Sequence, residues 1–197
     1  MKYLIIFFLI LVNSATANTV LFLGDSLTEG YGIKKSNSYP SLLQNKLKKE
    51  GYTTLKFING SISGSTTASG LSRLKWYLKM KPSILVLILG ANDGLRGIDP
   101  KITYNNLEKV ILLAHKTKIK VLLVGLRMPP NYGEGFTDKF QQVFIDLAQK
   151  YKLTFVPQIL KGVGGEILLN QEDGIHPNEK GHLKMMENVY PKLKELL

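Results

Sequence analysis

Ile84-Leu85-Val86-Leu87-Ile88-Leu89-Gly90 is a strand without a polar side: six apolar residues in a row, closed by a glycine. Such a run does not alternate because both faces of its sheet are covered, which is the habit of parallel sheets. Its neighbours supply the cover. Upstream, Thr67 to Lys79 carries Leu71, Leu74 and Leu78 at helical spacing, with Pro82 beyond its end. Downstream, Asp99-Pro100 opens a helix that runs to about Lys116. Further out, Lys120 to Leu126 and Thr154 to Pro157 are strands, and Thr137 to Tyr151 and Pro177 to Leu196 are helices. On the other side lie a strand at Thr19 to Gly24, a helix at Pro40 to Glu50 closed by Gly51, and a strand at Leu55 to Asn59. Strand and helix alternate throughout. The expected class is α/β: a flavodoxin-like three-layer α/β/α domain around a five-stranded parallel sheet in the order 2-1-3-4-5.

That order has a chemical consequence. Ligands of open parallel sheets bind beyond the carboxyl ends of the strands, where the strand order reverses. The loops after strands one, two and three then meet, and they begin Gly24-Asp25-Ser26, Asn59-Gly60-Ser61 and Gly90-Ala91-Asn92.

The chain has 197 residues, 44% of them hydrophobic and 21% charged, which fits one soluble domain with a real core. It contains no cysteine, so disulfides, a thiol nucleophile and the usual ligands of a structural zinc are excluded. The net charge of +11 invites a nucleic-acid reading, but only Arg73, Arg96 and Arg127 offer the forked guanidinium that suits bases and phosphates. The other basic residues are lysines scattered along the chain. They serve solubility and, at most, attraction to an anionic membrane surface or substrate. No nucleic-acid partner is expected, and the domain is expected to be a monomer.

The first seventeen residues form a separate unit. Lys2 precedes an apolar run from Tyr3 to Val12, and Ala15-Thr16-Ala17 satisfies the small-residue rule for signal cleavage. Ten residues are too few to cross a bilayer, which takes about 20, and no cysteine follows to carry a lipid. The expectation is a signal peptide at 1–17, export to the periplasm, and a mature domain at 18–197.

Ser26 stands directly after the first strand. A serine hydroxyl is a weak nucleophile until an imidazole takes its proton, and the imidazole in turn needs a carboxylate to fix its tautomer. Asp173-Gly174-Ile175-His176 offers both groups on one turn. The remaining histidines are less suited: His115 lies in an apolar helix, and His182 falls on the polar face of the last helix. Gly64 can present a bare backbone N–H and Asn92 a side-chain amide, the donors an oxyanion requires. The segment from Gly125 to Phe136 is long for a strand-to-helix connection and too apolar to be left in water. Met128, Pro129 and Tyr132 are therefore expected to form a wall along an acyl chain, the alternative being that they cap the core.

The blocks GDSLTEG (24–30), ISGST (62–66), GANDGLRG (90–97) and DGIHPN (173–178) resemble, in order, the four blocks of the SGNH (GDSL) hydrolases. With the Pro129-Pro130-Asn131-Tyr132-Gly133 segment, the chain is most similar to the secreted bacterial acyl-CoA thioesterase, lysophospholipase and arylesterase subfamily. The resemblance implies a triad of Ser26, Asp173 and His176. It implies an oxyanion hole made by the Ser26 and Gly64 N–H groups with Asn92, no metal or cofactor, and an acyl ester, thioester or lysophospholipid substrate. Ser65 departs from the pattern, since relatives commonly carry Asp there, and this puts the hydrogen bonding of its loop in question. Three other readings are weighed against this one. Asp25, Asn92, Asp93 and His176 could form a two-metal phosphoesterase site, the fold could serve a non-catalytic periplasmic lipid- or glycan-binding protein, or the same chemistry could act on sugar O-acetyl esters.

Overall fold

The computed structural model describes residues 19–197, so the expected signal peptide at 1–17 lies outside the described residues. Five strands form one parallel sheet: β1 (Thr19–Gly24), β2 (Lys56–Asn59), β3 (Ile84–Ile88), β4 (Lys120–Val124) and β5 (Thr154–Val156). Their order is β2-β1-β3-β4-β5, as expected. β1 and β3 pair from Val20 with Ile84 to Gly24 with Ile88, and every residue of both strands is buried.

Among the described residues there are seven α-helices: α1 (Ser26–Glu29), α2 (Tyr39–Lys49), α3 (Gly70–Tyr77), α4 (Ala91–Leu95), α5 (Pro100–Lys116), α6 (Glu134–Lys150) and α7 (Glu179–Lys194). α2 packs with α7, while α5 packs between α3 and α6, giving the outer layers. Local chemistry sets several boundaries. Asp99 caps α5 by accepting from the Lys101 N–H at 2.8 Å. Asn178 does the same for α7, accepting from Lys180 and Gly181, so that helix starts two residues later than Pro177 predicts.

Other features also differ from the sequence expectation. The stretch expected as one helix from Thr67 is a 3-10 turn (Thr67–Ser69), then α3, then a second 3-10 turn (Leu78–Met80). α1 and α4 are too short to show a period, and α6 begins at Glu134, a turn before Thr137. His182 is not on a polar face. It is 1% exposed and lies on the stripe formed with Met185, Met186, Val189 and Leu193. Its imidazole stacks on Tyr39, and its Nδ1 accepts the Tyr39 N–H at 3.3 Å, satisfying a helix-start donor that α2 leaves free.

Two buried titratable groups give stability opposite pH slopes. Burial, with a smaller contribution from nearby His176, lowers the His182 pKa to about 4, so its contribution is full above pH 6.5 and lost as pH falls toward 4. Asp25, at the end of β1, is fully buried, and desolvation raises its pKa to about 7. Ionising it inside the fold therefore lowers stability as pH rises from about 4 to 7. In thermal unfolding across pH 4–8, His182→Asn, which keeps an acceptor but cannot be protonated, should remove an acid-side loss of up to about 3 kcal/mol. Asp25→Asn should instead gain on the native protein above pH 7, by roughly 2–4 kcal/mol. Parallel pH profiles for either variant and the native protein would contradict these assignments.

Candidate active site

Ser26 is the first residue of α1, immediately after β1. Asp25 turns the chain there, its carboxylate accepting the Leu27 N–H at 3.1 Å as the helix cap. Three contacts then immobilise α1. Asn59 Nδ2 donates to the Thr28 carbonyl at 2.8 Å, Thr28 Oγ1 pairs with the buried Tyr39 hydroxyl at 3.1 Å, and Glu29 accepts from both the N–H and the hydroxyl of Ser63. The last contact ties the Ser26 helix to the loop that carries Gly64.

His176 comes from the far end of the chain. Its Nε2 lies 3.0 Å from Ser26 Oγ, and its Nδ1 lies 2.6 Å from Asp173 Oδ2. Asp173 Oδ1 accepts the Ile175 and His176 N–H groups, both at 2.9 Å. The backbone bond from His176, its ring bond and the Ile175 bond hold the Asp173 pKa at about 2, so the carboxylate is ionised at neutral pH. Gln171 staples this turn: its N–H donates to the His176 carbonyl at 2.8 Å, and its side-chain amide donates to the carbonyls of Tyr31 and Pro177. The Tyr31 ring packs 4.6 Å from the imidazole. A chain of acceptor, imidazole and hydroxyl in this geometry can draw a proton from Ser26 Oγ.

Asn92 lines one cavity with Ser26 and His176, and its amide is tied to the loop that carries Gly64. Gly64 sits at φ 76°, a left-handed backbone that side chains disfavour. Its loop is held by backbone groups: Ser65 N–H to the Ile62 carbonyl at 3.2 Å, Asn92 Nδ2 to the Ser65 carbonyl at 3.0 Å, and Arg96 to the Gly64 carbonyl at 3.1 Å. These bonds use no Ser65 side chain, which answers the question its identity raised. An amide nitrogen has two hydrogens, so Asn92 keeps a second donor after serving Ser65.

Two supporting roles escaped the sequence reading. Arg73 reaches from α3 to the carbonyls of Gly24, at 3.0 Å, and Gly60, clamping the ends of β1 and β2. Its Nε, Asp25 Oδ2 and Ser61 Oγ are buried without a partner, all on residues of this clamp or next to it. Nothing in its sequence surroundings marks Arg73. Asp93, weighed as a metal ligand, is 1% exposed and takes bonds from the Thr67 N–H, Thr67 Oγ1 and Thr103 Oγ1. Its oxygens hold α4 to the turn before α3 and to α5, which leaves them unsuited to a metal. Among the described residues no three His, Asp or Glu side chains gather as metal ligands would.

A cavity of about 700 Å³ opens beside Ser26 and His176, within the usual range of small-molecule sites. Leu126, Met128, Pro129, Pro130, Leu160 and Ile175 supply its apolar lining, with Arg127 and Glu134 among its polar members. Met128 is only 5% exposed, so it belongs to both core and cavity. Its thioether lies against Gly94 of α4, where any Cβ would collide with it. Tyr132, expected on the same wall, lies outside the lining, and its hydroxyl donates to the Leu95 carbonyl at 3.3 Å.

The GDSL-like Lipase/Acylhydrolase family model matches residues 22–184. Esterase TesA of Pseudomonas aeruginosa is 42% identical over 189 residues, covering 95% of this chain and 94% of that protein. Thioesterase 1/protease 1/lysophospholipase L1 of Escherichia coli K12 is 36% identical, covering 87% of this chain and 82% of that protein. The esterase EstA from Pseudoalteromonas sp., solved in a form inhibited by monoethylphosphonate, superposes with a TM-score of 0.85 at 31% identity, covering 90% of this chain and 97% of EstA. Sequence blocks, strand order and these relatives agree: the chain belongs to the GDSL-like lipase/acylhydrolase family, the SGNH hydrolases.

Proposed function

We propose that this protein hydrolyses carboxylic esters and thioesters through an acyl-enzyme on Ser26. The observation that carries the reading is the continuous chain from Asp173 to His176 to Ser26, at 2.6 and 3.0 Å, opening onto an apolar cavity. His176 Nε2 takes the hydroxyl proton as Ser26 Oγ attacks the carbonyl carbon. Asp173 holds the ring with Nδ1 protonated and balances the imidazolium that forms. The Ser26 and Gly64 N–H groups and Asn92 Nδ2 receive the oxyanion. The imidazolium then gives its proton to the departing alcohol or thiol. Water, deprotonated by the same imidazole, attacks the acyl-enzyme and releases the acid. The phosphonate-inhibited form of EstA and the names of the relatives, esterase and thioesterase/lysophospholipase, support this assignment. In the same reading, residues 1–17 export the domain to the periplasm. Among the described residues no helix is long and apolar enough to cross a membrane.

Three measurements test it. A fluorophosphonate probe should label Ser26 alone, as read by peptide mass mapping, and Ser26→Ala should remove the label and at least about a thousandfold of kcat while keeping the fold. An adduct on Ser63 or Ser65 would overturn the assignment. Asn92→Ala should lower kcat roughly a hundredfold with little change in KM, because its amide acts mainly on the transition state. A change confined to KM would make Asn92 a binding residue.

The cavity wall sets the third. Each methylene buried along it adds at most about 0.8 kcal/mol, near fourfold in kcat/KM. Esters and thioesters of about C6 to C12 should therefore be turned over better than acetate. Met128→Ala should flatten that rise and leave acetate hydrolysis nearly intact. A preference for acetyl esters, indifferent to Met128, would replace the acyl-chain reading with one of sugar O-acetyl esterase.

A further inference from the structure

Trp76 is the only tryptophan of the chain, and it stands 55% exposed on α3. Lys79 Nζ lies 3.4 Å from its ring centroid. Met80, one residue on and 46% exposed, borders a shallow cleft with Leu55, Phe57 and Ile58 from β2 and the segment leading into it. Lys56, Lys75, Lys79 and Lys81 are all exposed around these apolar groups. From Gly51 to Asn92 the sequence contains no Asp or Glu, so nothing within the segment neutralises them. Glu50, just before it, is already engaged by Lys46, Lys194 and the Tyr190 hydroxyl.

The patch lies at the end of the molecule opposite the cleft. Lys81 and Pro82 lead into the start of β3, and the Thr19 N–H at the start of β1 bonds Ser83 Oγ at 3.1 Å. Thr19 also borders the cleft beside Met80. Thr19, the first described residue, therefore lies at this same end. Ser26 lies beyond the other ends of these strands, about 17–20 Å away by strand length.

We propose that this lysine-ringed Trp76–Met80 surface docks reversibly on an anionic phospholipid bilayer. Lysine ammoniums are point charges suited to a diffuse layer of lipid phosphates, and Trp beside Met belongs at headgroup depth. The patch exposes no arginine fork for bases: Arg73, the one arginine of the segment, is turned inward on the Gly24 and Gly60 carbonyls. Docked this way, the domain holds the mouth of its cleft away from the lipid, toward solutes. The proposal stands apart from the esterase assignment, since none of its residues lines the catalytic cleft.

The lone tryptophan makes the test direct. The full chain is titrated with vesicles of mixed phosphatidylglycerol and phosphatidylcholine, or of phosphatidylcholine alone, while emission and co-sedimentation are read. Emission should shift to the blue, and the protein should sediment, only with phosphatidylglycerol present and only at low salt. Lys75→Gln, Lys79→Gln and Lys81→Gln combined should weaken partitioning on the order of a hundredfold while the protein unfolds at an unchanged temperature. The proposal is overturned by an equal shift on neutral vesicles, by sedimentation without any shift, or by a triple variant that still binds. The same shift induced by soluble polyphosphate would also overturn it, since the patch would then be a general anion site.

Discussion

The bond between His176 Nε2 and Ser26 Oγ joins residues 150 positions apart, and almost every feature of the domain can be traced to keeping its two ends in register. A 3.0 Å contact between a loop and a four-residue helix tolerates little drift, so each partner is fixed independently. On one side, β1 is buried along its whole length between β2 and β3, and α1 is held by Asn59, Tyr39 and Ser63. On the other, Asp173, Gln171 and Asn178 convert the segment before α7 into a closed turn of side-chain-to-backbone bonds. α7 in turn packs on α2, whose first N–H is taken by His182. The helix that brings His176 home is thus anchored by a second histidine through Tyr39, whose hydroxyl also touches α1.

What was legible in the sequence follows from how local each determinant is. The parallel sheet was legible in a run such as Ile84–Leu89, where burial on both faces suppresses alternation. Asp173 and His176 were legible because their bond closes within one turn. Arg73 was not: its value lies in two backbone carbonyls contributed by distant strands, and no pattern of residue types reports a carbonyl. His182 was misplaced because it was read as polar first. The spacing of Met185, Met186, Val189 and Leu193 puts it on the buried stripe. Tyr132 was grouped with Met128 by sequence proximity, but a 3-10 turn at Pro130–Tyr132 swings its ring toward α4.

The electrostatics beneath Ser26 are costly in isolation. Asp25 and Asp93 are both buried and repel one another, and each is handled differently. Asp93 spends its two oxygens on Thr67 and Thr103, holding α4 to the turn before α3 and to α5. Asp25 caps α1 with one oxygen and leaves the other unpaired near the half-buried Arg73 guanidinium. A carboxyl group there serves as a rigid cap at the point where β1 turns into α1. It is conformational geometry rather than net stability that the arrangement favours.

Met128 shows how the cavity wall and the packing beside Ser26 become one problem. Its side chain is part of the core, part of the cavity wall and in contact with Gly94. Gly94 lies two residues after Asn92 on the same five-residue helix, whose far end is held by Tyr132 through Leu95. A displacement of Met128 therefore bears on the element that carries the Asn92 amide. Close-packed interiors transmit such displacements instead of absorbing them. A glycine at 94 is what permits the contact: with a side chain there, either Met128 leaves the wall or α4 moves away from Ser26. The apolar segment after β4 and the polar loop after β3 look unrelated along the chain, yet they meet at that van der Waals contact and at the Tyr132–Leu95 hydrogen bond.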